Sequence, residues 1–191
     1  MSDAIELANA QPYEADHATY LASLDAETAA VYEAESEFRQ GIELSIWNEA
    51  DEDLAYAYTE SLTAAQAEAE AVEILSRAGY ENPRVTVELV VWPAEMRNGF
   101  YDPVRNVIGG FVEPIGIGRN VLMHELAHWM RPHVGHGPQF RSAHATLIGI
   151  VFGQDTALEL VANYEYHDLP IEESWFAESQ HVWADLRVGA A

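Results

Sequence analysis

Hydrophobic and polar positions along this chain switch period several times, and each switch predicts an element. Asp25 is placed to cap a helix running toward Gln40, with Val31, Ala34 and Phe38 on one stripe and Gly41 as its stop. The stretch from Ile42 to Glu60, with Trp47 and the acidic cluster Asp51-Glu52-Asp53, has no single period and is left unassigned. Thr63 and Gln66 have capping-box spacing. Ala64, Ala67, Ala71, Ile74, Leu75 and Ala78 then recur at helical period until Gly79.

After Asn82-Pro83 the period shortens to two. The β-branched run from Val85 to Val91 predicts a strand closed by Pro93, and Asn106 to Val112 predicts a second. Gly109 and Gly110 within it point to a bulge or to close approach of another group. Ile115-Gly116-Ile117-Gly118 reads as a loop into a helix that begins at about Arg119. Beyond it, Phe140, Leu147, Ile148 and Val151 form a helical stripe ending at Gly153. Asp155 is positioned to cap a further helix bearing Leu158, Val161 and Tyr164, and Trp175, Val182, Trp183 and Leu186 sit at helical spacing in the tail. Helices before and after a short pair of strands predict an α+β fold. A single domain over 16–191 is expected, with an acidic helical part (16–80), a catalytic core (81–153) and C-terminal helices (154–191); residues 1–15 lack periodicity and are expected to fray.

Composition narrows the chemistry. The 191 residues suffice for a sizeable core. There is no cysteine, so disulfides and thiolate zinc sites are excluded and any metal must be held by histidine and carboxylate. No basic, apolar leader pattern opens the sequence and no apolar run reaches the ~20 residues that span a bilayer, so the expectation is a cytoplasmic protein without a membrane partner. The net charge of −23 opposes a phosphate backbone and argues against general nucleic-acid binding. Residues 1–80 carry 18 acids and 2 arginines, against 8 acids and 6 arginines over 81–160, so the acidity belongs to the N-terminal part. Its plainest reading is the solvated face of covering helices. A surface for a basic partner, or a mimic of DNA with a merely structural zinc site, is the alternative.

Chemistry concentrates in His124-Glu125-Leu126-Ala127-His128. On a helix the two imidazoles fall one turn apart on one face, able to converge on one ion, and Val121, Leu122, Leu126, Ala127 and Met130 give that helix an apolar body. A glutamate in this position of a zincin does not bind the metal. It takes a proton from the water that the metal activates and passes it to the leaving amine. A catalytic zinc usually takes three protein ligands. Pro132 disfavours helix at Arg131, Gly135 and Gly137 permit a reversal, and Pro138 suits the start of the next helix, which makes His136 the best-placed third donor. His133 has less chain in which to turn back; it and Glu159 are the alternatives. His144, on the stripe with Phe140 and Leu147, reads as a buried histidine with an ordinary hydrogen bond, or as an outer-shell partner of the site.

The stretch from His124 to His128, followed by Gly135-His136-Gly137-Pro138-Gln139-Phe140, resembles the active-site signature of SprT-like zinc metalloproteases. Asn120-Val121-Leu122-Met123 is similar too. Over its whole length the chain resembles a group of metallohydrolases encoded by bacteria and their phages, a likeness that reaches Val31-Tyr32-Glu33-Ala34-Glu35 and the helix after Gly153. The sharp part covers about 107–153. It implies a zincin-like fold with a small sheet on the active-site helix, one zinc per chain on His124, His128 and His136, Glu125 as general base, and a peptide or protein as substrate. It also implies a sheet edge for an extended substrate, for which Val107–Val112 is the candidate, with Gly109-Gly110 leaving room. Tyr164, Tyr166 and His167 are candidates for stabilising an oxyanion, and the substrate-binding residues are otherwise unassigned. Zincin geometry also suits non-peptide amides. No cysteine-rich zinc ribbon and no basic DNA-binding segment of the kind some relatives carry is present, so DNA-stimulated proteolysis is not implied.

Overall fold

A computed structural model of the chain describes residues 25–45, 52–90, 99–111, 116–175 and 179. It is an α+β arrangement in which helices surround two small sheets. Helix α1 (Ala26–Ser45) starts where Asp25 Oδ1 accepts from the Thr28 amide at 2.9 Å. It runs one turn past Gly41, because Ile42 continues the stripe of Val31, Ala34 and Phe38 into the core, and that burial outweighs the modest helix cost of an interior glycine. The unassigned stretch supplies α2 (Glu52–Thr59) and the two-residue strand β1 (Ser61–Leu62); Trp47 lies outside the described residues.

Helix α3 (Ala64–Arg77) opens on the expected reciprocal cap. Thr63 Oγ1 accepts from the Gln66 amide at 3.3 Å and Gln66 Oε1 accepts from the Thr63 amide at 3.0 Å. At its other end Gly79, with φ +92, lets the Tyr80 amide reach back to the Leu75 carbonyl at 3.0 Å.

Strands β2 (Thr86–Val90), β3 (Phe100–Asp102) and β4 (Val107–Phe111) form a sheet in the order β2-β4-β3, with β4 parallel to β2 and antiparallel to β3. This corrects the edge reading of 107–112: within its described part, Val107–Phe111 is the central strand, and its main chain pairs on both sides. No bulge marks the glycines, since the register runs unbroken from Thr86↔Val107 to Val90↔Phe111. The space beside Gly109 is filled by the Phe100 ring and that beside Gly110 by Ile117, not left for a substrate. Among the described residues, the edge strand beside the site is β3, which sequence pattern did not announce.

Strand β5 (Ile117–Gly118), expected as loop, pairs antiparallel with β1. Its neighbour Gly116 lies so close to Leu62 that any Cβ would overlap the Leu62 carbonyl. The chain then enters α4 (Arg119–Met130), and the Arg119 guanidinium fixes that entry by donating to the Ala57 carbonyl at 2.6 Å and to Glu70 at 3.0 Å. Helices α5 (Pro138–Phe152) and α6 (Gln154–Tyr166) follow. Gly153, not Asp155, occupies the cap of α6; Asp155 lies in the first turn. The buried stripe is Ala157, Leu160, Val161 and Tyr164, whereas Leu158 is 37% exposed. Trp175 is buried and donates to Thr146 Oγ1 at 3.0 Å; Val182, Trp183 and Leu186, and residues 1–15, lie outside the described residues. Among the described residues, no helix is long and apolar enough to cross a membrane.

Candidate metal centre

Helix α4 is buried along Leu122, Met123, Leu126 and Ala127, and this packing fixes the directions of His124 and His128 one turn apart. The helix ends at Arg131, whose φ −132 and ψ 65 lie outside the α region that Pro132 disfavours. Gly135 at φ +58 turns the chain back, and Pro138 opens α5. The reversal carries His136 to the face of α4 that bears the other two histidines: its Nε2 lies 3.2 Å from Nε2 of His124 and 3.3 Å from Nε2 of His128. The three form a cluster whose ligand atoms all lie within 4.8 Å of one another, close enough to bind a metal ion.

The spacing has a specific meaning. Ligands at ~2.0–2.1 Å from a tetrahedral zinc stand about 3.3–3.4 Å from each other. Two of the rings also have their tautomers set from outside. Glu35 Oε2 accepts from Nδ1 of His124 at 2.9 Å, and Thr28 Oγ1 faces Nδ1 of His136 at 3.3 Å. In a neutral ring with its proton on Nδ1, Nε2 presents a lone pair inward, where it can serve a cation. Phe140, fully buried, stands behind all three with ring centroids 4.3–4.8 Å away.

Burial works to depress His124, but the adjacent Glu35 carboxylate more than reverses this and pushes it up to about 8. Burial, together with the charge on His124, pushes His128 down to about 2 and His136 down to about 4, so both are neutral at physiological pH. Burial alone would raise Glu35; the two histidines facing it, His124 and His144, hold it well below the usual carboxylate range. Glu125 beside them is 2% exposed, and burial pushes it up to about 7 against the pull of His124.

Glu125 reaches a cleft of about 280 Å³ that lies between α4 and β3 and is lined by Tyr32, Gly99, Phe100, Tyr101, His128 and His133 among others. Gly99 makes this approach possible, since a Cβ there would come within 2.9 Å of Glu125 Oε1.

His133 lines the cleft in a left-handed conformation (φ +73) but is exposed and stands outside the three-histidine cluster, and Glu159 is exposed on α6. Tyr164 is not in the cleft. It is fully buried behind His124, donating to Glu35 Oε1 at 2.8 Å and contacting His144 Nδ1 at 2.8 Å. Tyr166 is 80% exposed, and His167 pairs with Glu37 at 3.0 Å. His144 is buried and hydrogen-bonded, as its plainer reading had it, and it faces the same Glu35 carboxylate at 3.2 Å. Glu35, His124 and His144 thus form a second close cluster, one already joined by hydrogen bonds.

Glu35, Tyr32 and Thr28 are the participants that sequence reasoning missed. Tyr32 stacks on His124 with ring centroids 5.5 Å apart. The signal available was their spacing: 25, 28, 32 and 35 mark one face of α1, bordering the apolar stripe. Comparison with known proteins adds nothing to this geometry, as no protein-family model, no curated protein and no solved structure matches the chain.

Proposed function

We propose that this protein is a zinc-dependent metallohydrolase of the SprT-like, zincin type, acting as a peptidase. The observation that carries the reading is the convergence of His124, His128 and His136, with Nε2 of His136 at tetrahedral-ligand spacing from Nε2 of each of the other two, and with Glu125 lining the adjoining cleft. An all-imidazole donor set fits zinc well. A zinc ion held there would supply Lewis acidity, polarising an amide carbonyl and making water a stronger acid.

The chain's own residues do the rest. A peptide in the cleft runs beside β3, the edge strand among the described residues, between Tyr32 and Tyr101. Glu125 accepts a proton from water in the cleft and delivers it to the departing amine nitrogen. Its burial, which raises its affinity for a proton, favours the first half of that transfer. Buried Phe140 and the Gly99 main chain keep the histidines and Glu125 from shifting during the exchange.

The test combines elemental analysis with a mass-spectrometric peptide screen, extended to non-peptide amides, on the intact protein and on Glu125→Gln. Zinc retained by both proteins, with peptide cleavage only by the intact one, is the expected result. Stoichiometric zinc with no cleavage of any amide by either would overturn the hydrolase reading and leave the acidic surface as the functional one.

A further inference from the structure

His136 differs from the other two histidines in its support. His124 and His128 stand on a packed helix, whereas His136 stands on the 131–137 reversal between α4 and α5. Its ring and its main chain are nevertheless both held, and both holds lead to the first turn of α1. Thr28 donates its hydroxyl proton to Asp25 Oδ2 at 2.8 Å, while its amide donates to Asp25 Oδ1 at 2.9 Å. With its own proton committed, Thr28 Oγ1 meets Nδ1 of His136, at 3.3 Å, as an acceptor. This keeps the proton on Nδ1 and the lone pair on Nε2, the atom that faces His124 and His128.

The main chain is held by Arg141, 1% exposed, which donates through Nη1 to the His136 carbonyl at 2.7 Å and to Glu27 Oε1 at 2.8 Å, and through Nε to the Pro170 carbonyl at 2.9 Å. Asp25, Glu27 and Thr28 therefore grip one ligand from a single helical turn.

Resting on the three-histidine reading of the metal site, we propose that the first turn of α1 is a latch on the third ligand: Thr28, oriented by Asp25, is a positioning residue for His136, and docking of this turn is linked to metal binding. Linkage makes the coupling reciprocal, so a docked latch that tightens the metal is itself tightened by the metal to the same degree.

Zinc affinity, measured by competition with a chromogenic chelator, and amide exchange over residues 26–30 with and without zinc test this together. Thr28→Val deletes the acceptor at nearly constant volume, and Thr28→Ser keeps it; Asp25 still caps the helix in both. Thr28→Val is expected to weaken zinc about 10-fold or more, and Thr28→Ser to restore most of the loss. Zinc should slow exchange at 26–30 in the intact protein and much less in Thr28→Val. Asp25→Asn, which keeps a capping oxygen but removes the charge, should give a smaller loss of the same sign and serves if Thr28→Val does not fold. Equal zinc affinity in the intact protein and Thr28→Val, or exchange at 26–30 that ignores zinc, overturns the latch. Loss of zinc binding in His136→Ala shows that the metal site stands even then, whereas an intact protein that binds no zinc, or a His136→Ala protein that binds it undiminished, overturns the site itself.

Discussion

Oε2 of Glu35 lies 2.9 Å from Nδ1 of His124, although 89 positions separate the two residues. The carboxylate sets the tautomer of that ring and raises its basicity, as carboxylates behind zinc-binding histidines do. Glu35→Gln keeps an oxygen in place and removes the charge. Zinc affinity should fall about 10- to 100-fold, and a competition titration against a chelator reads it directly. An unchanged affinity would mean that His124 is oriented by packing alone.

The same pair gives the metal-free protein a pH dependence. With its pKa at about 8 in the fold against 6.5 in the unfolded chain, His124 contributes stability that is complete below pH 6.5 and lost as pH rises through 8. The full effect is on the order of 2 kcal/mol. Glu125, raised from 4.5 to about 7, acts in the same direction at lower pH, where the lowered His128 and His136 oppose it. Between about pH 7 and 8 the His124 term stands unopposed among these groups. Thermal unfolding in chelator should show a falling midpoint across that window, and Glu35→Gln should flatten it. Because zinc competes with the proton on His124, zinc affinity should rise toward pH 8.

Phe140 is fully buried against all three histidine rings. Phe140→Ala should cost about 3–5 kcal/mol in urea unfolding of the metal-free protein. It should also weaken zinc, because the cavity lets the rings drift from their spacing. A loss below about 1 kcal/mol would show that the site collapses to fill the void.

Two glycines separate tolerable crowding from intolerable. At Gly109 an added methyl meets the far end of the Phe100 ring, which can swing aside; at Gly116 it meets the Leu62 main chain in the β1–β5 pair, which cannot. Gly116→Ala should therefore lower the unfolding midpoint well beyond Gly109→Ala. Equal effects would mean that the β1–β5 pair contributes little to the native state.

Much of this architecture was legible locally. The Thr63/Gln66 cap, the Gly79 stop, the helix from Arg119 and the Pro138 start are short-range devices, written in residues that touch one another along the chain. His124 and His128 belong to the same category, since a helix places residues four apart on one face without reference to anything else. His136 was legible at one remove, through the proline and glycines that force the reversal.

What the sequence by itself determined, then, is the local geometry of the helix that bears His124 and His128, the turn after it and the α+β alternation of periods. The tertiary structure alone decided which strand lies at the edge, because β4 is central only by virtue of β3, a three-residue strand too short to carry a period. It alone decided that Tyr164 backs the site and does not enter its cleft, that Glu35 of α1, an acid read as part of a solvated face, turns inward to His124, and that Thr28, held by the exposed Asp25, meets His136. Such contacts span 89 to 129 positions, and no local rule reaches that far. They exist because the apolar stripe of α1 is buried against α6 and the core, and that burial brings along the polar residues at its border.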